Sequence, residues 1–168
     1  MDFLDSELVA RIKNLKMDYA EEPQPELLIQ IPNREKNVQR TVTHQTSEFT
    51  SLCPLNTSQP DHATICIVFE PKDFLVELKS LKFYFVSFRQ VPIFHEEAPA
   101  RILKDLLPIL GDVVINVTGY FTVRGGLQTE VDAVNIPGTE ESRELWKELE
   151  SEGKYCPQGV SERVHIES

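Results

Sequence analysis

The sequence predicts a single α+β domain in which an antiparallel sheet carries two helices on one face. Thr64 to Phe69 is a short, continuous run of apolar and β-branched residues, which is typical of a central strand. Two segments with helical spacing of apolar residues follow, between positions 78 and 110, and then two alternating runs joined by a Gly-Gly turn. Strands, two helices and strands, in that order, favour helices packed on one face of a sheet.

The first 34 residues are predicted to form a helix and an extended arm. Asp5 or Ser6 can cap this helix, and its apolar residues recur at helical spacing: Leu8, Val9, Ile12 and Leu15. Glu-Glu-Pro-Gln-Pro at positions 21–25 then breaks the helix. Leu27 to Ile31 fits either a short strand or an arm that packs on a neighbouring subunit.

Two strands and two helices are predicted in the middle of the chain. Arg40 to His44 alternates and indicates a half-exposed strand, and Cys66 in the central strand is interpreted as a small buried hydrophobe. The first helix is predicted from Leu78 to Arg89, with an apolar stripe at Leu78, Leu81, Phe85 and Phe88 and with Lys79 and Lys82 on its other side. The second helix is predicted from Glu96 to Leu110, where Gly111 ends it.

A β-hairpin and a last helix complete the prediction. The hairpin joins Asp112–Val123 to Leu127–Val134 through Gly125-Gly126. Glu140 to Leu149 is predicted to form a helix anchored by Trp146, followed by a polar tail, Gly153–Ser168, that we expect to be partly disordered.

Composition narrows the class of protein. The chain has 168 residues, of which 40% are hydrophobic and 26% charged, as in soluble globular domains. No apolar run has the length of a membrane helix, and the first residues lack the features of a signal peptide, so we expect a cytoplasmic protein with no membrane partner.

Charge argues against a nucleic-acid surface and for a small basic pocket. The net charge is -10, whereas nucleic-acid binding needs many cations on one face. Between positions 77 and 95, however, the sequence has one acidic residue, Glu77, and three cations: Lys79, Lys82 and Arg89. A local pocket for a phosphorylated ligand is therefore predicted.

Cys53 is the candidate nucleophile. Cys53, Cys66 and Cys156 are an odd number of cysteines without a Cys-x-x-Cys pair, which favours reduced thiols. Cys53 precedes a turn-rich stretch at positions 55–60 that ends at Asp61, so we expect the thiol and the carboxyl at the two ends of one loop. On its own, Asp61 would be interpreted as a turn or helix-cap residue.

Metal and Rossmann-type sites are not predicted. The four candidate ligands lack short paired spacing, and no metal is expected at them: Cys53, His62, Cys66 and His95. The chain also contains no G-x-G-x-x-G motif.

Four sequence pieces, in the same order, resemble one enzyme family. Glu77 to Tyr84, Glu-Leu-Lys-Ser-Leu-Lys-Phe-Tyr, looks like the signature motif of the NADPH-dependent 7-cyano-7-deazaguanine reductases, which are nitrile reductases of the queuosine pathway. The other pieces are Ser51-Leu52-Cys53-Pro54 with Gln59-Pro60-Asp61, then Phe94-His95-Glu96, then Gly119 to Gly126. The resemblance covers residues 35–140, leaving an N-terminal helix and arm at 1–34 and a C-terminal helix and tail at 141–168.

The resemblance implies roles for the catalytic and substrate-binding residues. Cys53 would add to the nitrile carbon to form a thioimide, and Asp61 would protonate the nitrogen. The guanine-like base would be bound by a further set of residues: Val76, Glu77, Leu78, His95 and Glu96. Taken alone, the His95-Glu96 pair is also ordinary helix-capping chemistry, and Glu77, a single glutamate at a strand-to-helix junction, indicates little.

The resemblance also implies a cofactor, a fold and an assembly. NADPH would lie against Leu78, Lys79, Lys82 and the Arg124-Gly125 turn, although the lysines alone fit a solvated helix face and the turn alone fits a plain hairpin. The fold would be the T-fold (tunnelling fold), whose sheets from several subunits close into a barrel with active sites between subunits. The expected partners are therefore a small-molecule substrate and further copies of the chain.

Two other functions remain open from the sequence. One is an amidine-forming relative that adds ammonia to the same thioimide, against which the retained Glu77 to Tyr84 motif argues. The other is a T-fold protein that binds a purine-like base without turning it over, against which Cys53 together with Asp61 argues. Two departures from the family pattern are a slightly longer segment from Cys53 to Asp61 and Val123 in place of a frequent proline.

Overall fold

The computed structural model describes residues 5–16 and 19–151, and it confirms the predicted α+β class. Two 3₁₀ turns, Pro25–Leu27 and Phe88–Gln90, accompany the regular elements. In chain order these elements are α1 (Ser6–Lys13), β1 (Gln30–Pro32), β2 (Val42–Cys53), β3 (Asn56–Phe69), β4 (Phe74–Val76), α2 (Leu78–Ser87), α3 (Ala98–Leu110), β5 (Ile115–Arg124), β6 (Leu127–Asn135) and α4 (Glu140–Ser151).

The main sheet has four antiparallel strands in the order β2-β3-β5-β6. The predicted central strand is confirmed and is longer than its apolar run, because β3 extends back to Asn56. The predicted half-exposed strand likewise extends to Cys53 as β2. A separate two-stranded sheet pairs β1 with β4. Of the two alternatives for Leu27 to Ile31, the short strand is therefore present, at Gln30–Pro32.

The two predicted helices cover one face of the main sheet. Ile65 and Ile67 of β3, Val117 of β5, Leu81 of α2 and Ile102 of α3 are all buried in the same apolar core. Alternate residues of a strand share a face, so the core runs along that face beneath both helices. At the contact between α2 and α3, the fully buried Tyr84 hydroxyl donates to Asp105 Oδ2 at 2.8 Å.

The helix ends follow local chemistry. Asp5 caps α1 as predicted, by accepting a hydrogen bond from the Leu8 N–H. Helix α3 begins at Ala98, two residues later than predicted, with Pro99 in its first turn, where a missing N–H costs nothing. It ends at Gly111, whose φ of 82° suits glycine.

Two helix predictions need adjustment. Leu78 was placed on the apolar stripe of α2, but it is 64% exposed because it is the first helical residue and lies at the edge of a groove rather than over the sheet. Trp146 of α4 is half-buried, and the buried residues of that helix are Ser142 and Leu149. The predicted tail, Gly153–Ser168, lies outside the described residues.

Within residues 5–16 and 19–151, no helix is both long enough and apolar enough to cross a membrane.

Candidate active site

Cys53 and Asp61 are brought together by strand pairing, not by a loop. The expected loop is wrong: β2 ends at Cys53, β3 begins at Asn56, and Asp61 lies inside β3 directly opposite Ser51 of β2. The pairing shifts register between Leu52 and Cys53, and this irregularity accommodates the extra residues before Asp61. The longer segment therefore does not separate the carboxyl from the thiol.

The Asp61 carboxylate is buried between two basic side chains. Asp61 is only 4% exposed. Its Oδ1 lies 2.9 Å from an Nη atom of Arg124, and its Oδ2 lies 3.3 Å from His95 Nε2. A buried carboxylate needs such partners, because an isolated charge in a low-dielectric interior is costly.

Four buried polar atoms at this point lack a hydrogen-bond partner within the described part of the chain: Ser51 Oγ, Asp61 Oδ1, His95 Nε2 and an Arg124 Nη atom. The Asp61 contacts are thus close ionic contacts, not aligned hydrogen bonds. Buried polar atoms are rarely left unpaired, and several in one place indicate where a polar ligand binds.

Cys53 is partly exposed, and its surroundings favour the thiolate. The pKa of the thiol lies below its usual value, first because of a hydrogen bond from the Leu55 backbone and then because of the Asn56 backbone and the Arg124 side chain. Burial and the negative charge of Asp61 act in the opposite direction. Because the thiolate is the nucleophilic form, this arrangement suits addition to an electrophilic carbon.

His95 is positioned by its own segment and by an aromatic ring. The Leu52 N–H donates to Val91 O at 2.9 Å, and the Ile93 N–H donates to Leu52 O at 3.1 Å, so the segment before His95 is tied to the strand that ends at Cys53. The imidazole stacks on Phe121 of β5, with ring centroids 4.1 Å apart and an interplanar angle of 11°. The ring is therefore held flat beside Asp61.

Glu96 is exposed beside His95, whereas Glu77 lies at the N-terminus of α2. The Glu77 carboxylate caps this helix by accepting hydrogen bonds from the Lys79 N–H at 3.0 Å and the Ser80 N–H at 2.7 Å. Each oxygen keeps further lone pairs, so the carboxylate is fixed in orientation and can still accept hydrogen bonds from a ligand. Val76, just before it, is buried in β4.

A groove of about 740 Å³ lies between the start of β2 and α2. The predicted cofactor residues Leu78, Lys79 and Lys82 line it together with Arg89. Its lining also includes Thr43, His44, Gln45, Thr46, Glu48, Glu77, Leu81, Phe85 and Val86. The predicted basic pocket is therefore present as a surface feature, with three cations along one side.

Within one chain, Cys53 does not line the groove. His44 at one end of the groove lies about 25–30 Å of strand from Cys53, and Glu48, also in the lining, lies about 16 Å of strand from it. Arg124, a predicted cofactor contact, does not line this groove and contacts Asp61, with Gly125 next to it at the hairpin turn. The predicted site residues thus form two separate groups.

Known proteins are similar in sequence to this chain over most of its length. A family model described as "QueF-like protein" matches residues 60–138. A protein from Helicobacter acinonychis (strain Sheeba) is 41% identical over 124 residues, covering 74% of this chain and 83% of its own. One from Bacillus subtilis (strain 168) is 41% identical over 128 residues, covering 75% and 77%. Both are named NADPH-dependent 7-cyano-7-deazaguanine reductase.

This chain belongs to the 7-cyano-7-deazaguanine reductase family. Its fold also resembles the crystal structure of the archaeosine synthase QueF-Like in the apo form, with a TM-score of 0.52 and 22% identity over 56% of this chain and 92% of that one. This likeness concerns the fold alone, and it confirms the predicted T-fold.

Two residues of this reductase-family site were not predicted from the sequence. Ser51 is 1% exposed with an unpartnered hydroxyl, and Phe121 supports the His95 ring. Ser51 stands two positions before Cys53, a spacing that would have indicated a neighbour in an extended strand. Nothing local indicated the His95–Phe121 contact, because it joins two separate elements.

Gly119 of β5 leaves room for this stack. A Cβ at position 119 would lie 2.9 Å from Phe121 Cε2, 2.9 Å from Pro99 Cγ and 3.4 Å from Ile65 Cδ1. We expect Gly119→Ala to lower the free energy of unfolding by about 1–3 kcal/mol, because ring atoms must shift to accept the methyl group. The displaced Phe121 ring should also tilt His95 and lower catalytic activity.

Gly138→Ala is the matched control for Gly119→Ala, since a Cβ there meets nothing within 4 Å. Denaturant unfolding and a turnover assay on both variants measure the two effects. Equal stability and activity of the two variants would contradict the steric account.

Proposed function

We propose that this protein reduces the nitrile of 7-cyano-7-deazaguanine to the aminomethyl group with NADPH, as the names of its relatives state for those proteins. The observation that supports this most directly is the pairing of a thiol of lowered pKa, Cys53, with the buried carboxylate Asp61 on neighbouring strands. A nitrile carbon is a weak electrophile that needs a strong nucleophile on one side and a proton for its nitrogen on the other. These two residues supply both.

In the proposed mechanism, the Asp61 carboxylate first takes a proton from His95, whose Nε2 lies 3.3 Å away. The Cys53 thiolate then adds to the nitrile carbon while the nitrogen takes this proton from Asp61, which gives a thioimide. NADPH, when bound, supplies two hydrides in succession. Between the two transfers the carbon–sulfur bond breaks, and an imine and the Cys53 thiolate are released. One further proton, taken up with the second hydride, completes the aminomethyl product as its neutral amine.

The base itself is proposed to be read by two carboxylates. The Glu77 carboxylate is held by two backbone N–H groups, and a fixed carboxylate can accept hydrogen bonds from the ring N–H and amino group of a guanine-like base. Glu96 and His95 would supply a second set of contacts, and Val76 and Leu78 flank Glu77. These are the substrate-binding residues that the family resemblance predicts.

The groove beside α2 is proposed to bind the NADPH phosphates. Its volume of about 740 Å³ falls within the range of roughly 300–1,000 Å³ that is common for small-molecule sites. Lys82 and Arg89 have no ion-pair partner among the described residues, so both charges are available to phosphate oxygens. Lys79 donates to Ile12 O of α1 at 2.8 Å and would exchange this carbonyl for a phosphate.

We also propose that the protein is a homo-oligomer with active sites between subunits. The substrate and cofactor residues on α2 line a groove against the first half of β2, whereas Cys53 ends that strand and does not line this groove. A second chain that places its α2 beside the first chain's Cys53 brings the two groups together. Because the reaction needs a reduced thiol and NADPH, we place it in the cytoplasm.

Mixing two inactive variants tests the shared site. Cys53→Ala and Glu77→Gln should each be nearly inactive alone. When the two variants are refolded together in equal amounts, about a quarter of the sites should be active. These are the sites that take Cys53 from a Glu77→Gln chain and Glu77 from a Cys53→Ala chain. Cys53→Ala mixed with Asp61→Asn is the control, because both positions lie in one cluster of one chain, and this mixture should stay inactive. If the mixture of Cys53→Ala and Glu77→Gln is no more active than either variant alone, the shared site is contradicted.

The activity itself is tested by NADPH absorbance after addition of 7-cyano-7-deazaguanine, with mass spectrometry of the product and of the intact protein. We expect two NADPH oxidised per base, and the aminomethyl base as product. A covalent adduct on Cys53 without NADPH oxidation would instead support amidine formation. Binding of the base with neither signal would leave a purine-binding protein.

A further inference from the structure

Arg124 lies at the end of β5, where its side chain reaches back to the nucleophile and the acid. The β5–β6 pairing shifts register between Phe121 and Arg124, and the hairpin turn follows with Gly125 and Gly126 at φ of 56° and 84°. Such an irregularity re-aims the side chains next to it. The Arg124 side chain is 34% exposed and lies 2.9 Å from Asp61 Oδ1, and it is one of the groups that lower the pKa of the Cys53 thiol.

We propose that Arg124 is a positioning residue that holds the Cys53 thiolate and the Asp61 carboxylate side by side before any ligand binds. Two neighbouring anions repel each other, and a nearby carboxylate disfavours a thiolate. A guanidinium in contact with both groups offsets this repulsion and fixes the distance between them. The single cation thus prepares the nucleophile and keeps the acid aligned with it.

The charges around the Cys53 thiol determine in which direction its pKa should change when Arg124 is replaced. Asp61 from β3 raises the pKa of Cys53, and Arg124 from β5 lowers it. His95, from the segment before α3, acts on Asp61 and not on the sulfur directly. The backbone hydrogen bonds at Leu55 and Asn56 also lower the thiol pKa and remain in an Arg124 variant. Loss of Arg124 should therefore raise the thiol pKa without making Cys53 inert.

The importance of Arg124 for turnover rests on the proposed function, but its effect on the reactivity of the Cys53 thiol can be measured without cofactor or base. The experiment follows the rate of Cys53 alkylation by iodoacetamide against pH, read by mass spectrometry of the Cys53 peptide. Arg124→Gln should shift the profile to higher pH and slow alkylation several-fold at neutral pH. Arg124→Lys should restore part of the shift, because it keeps the charge but not the forked geometry. Asp61→Asn should move the profile to lower pH.

Arg143→Gln is the matched control, since Arg143 pairs with Glu140 on the surface of α4. Its alkylation profile should equal that of the unmodified chain. An unchanged profile for both Arg124 variants, with native circular dichroism, would overturn the proposal and leave Arg124 as a cofactor contact only. A shifted profile in a protein that does not oxidise NADPH would support the Arg124 inference while refuting the proposed reductase.

Discussion

Cys53→Ala should reduce nitrile-dependent NADPH oxidation by at least about 10³-fold, the scale of loss seen when a covalent nucleophile is removed. The thiol is partly exposed, and its pKa is lowered by backbone and Arg124 hydrogen bonds, so it is equipped to attack before any hydride moves. The variant should also show no base adduct in intact-protein mass spectra. Absorbance at the NADPH band, with and without base, gives the rate.

Cys66→Ala is the matched control for this nucleophile variant. Cys66 is fully buried in β3, where it packs with Val68 and Tyr120. Its replacement should lower stability slightly, by removal of a buried atom, and should leave the adduct and the turnover in place. Retained turnover in Cys53→Ala, or loss of the adduct in Cys66→Ala alone, would show that the nucleophile has been wrongly assigned.

Asp61→Asn is expected to lower kcat by about 10²–10⁴-fold, the usual contribution of a positioned general acid. The amide keeps the shape of the side chain but has no acidic proton to give to the nitrile nitrogen. The KM for NADPH should change less than kcat, because the phosphates are proposed to bind Lys79, Lys82 and Arg89, none of which is an ion-pair partner of Asp61. Steady-state kinetics across pH measures both constants and should show loss of the acidic group from the kcat profile.

Asp105→Asn is the control for Asp61→Asn, because Asp105 is also a mostly buried aspartate in contact with an arginine. Its Oδ2 lies 2.9 Å from Arg101 Nε and accepts a hydrogen bond from Tyr84, in the contact between α2 and α3. This variant should lose thermal stability yet keep its kcat. If both variants lose kcat equally, Asp61 acts through stability and not as an acid.

The order of strands and helices, and the candidate nucleophile, could be predicted from the sequence. The central strand around Thr64–Phe69, helices α2 and α3 and the β5–β6 hairpin are all confirmed. Each depends on the spacing of apolar residues or on turn residues within one segment, and such local patterns are readable without a partner segment. Cys53 was distinguished by its local motif and by the four-piece family resemblance.

Contacts between distant segments were decided only by the tertiary structure. The register that sets Asp61 opposite Ser51, the placement of Arg124 between Cys53 and Asp61, and the His95–Phe121 stack all join separate elements. The sequence pattern of each segment is compatible with many partners, and the final packing selects one. For the same reason, the sequence predicted which chemical groups could form the site, while only the folded chain showed that they form two groups, one around Cys53 and one along the groove beside α2.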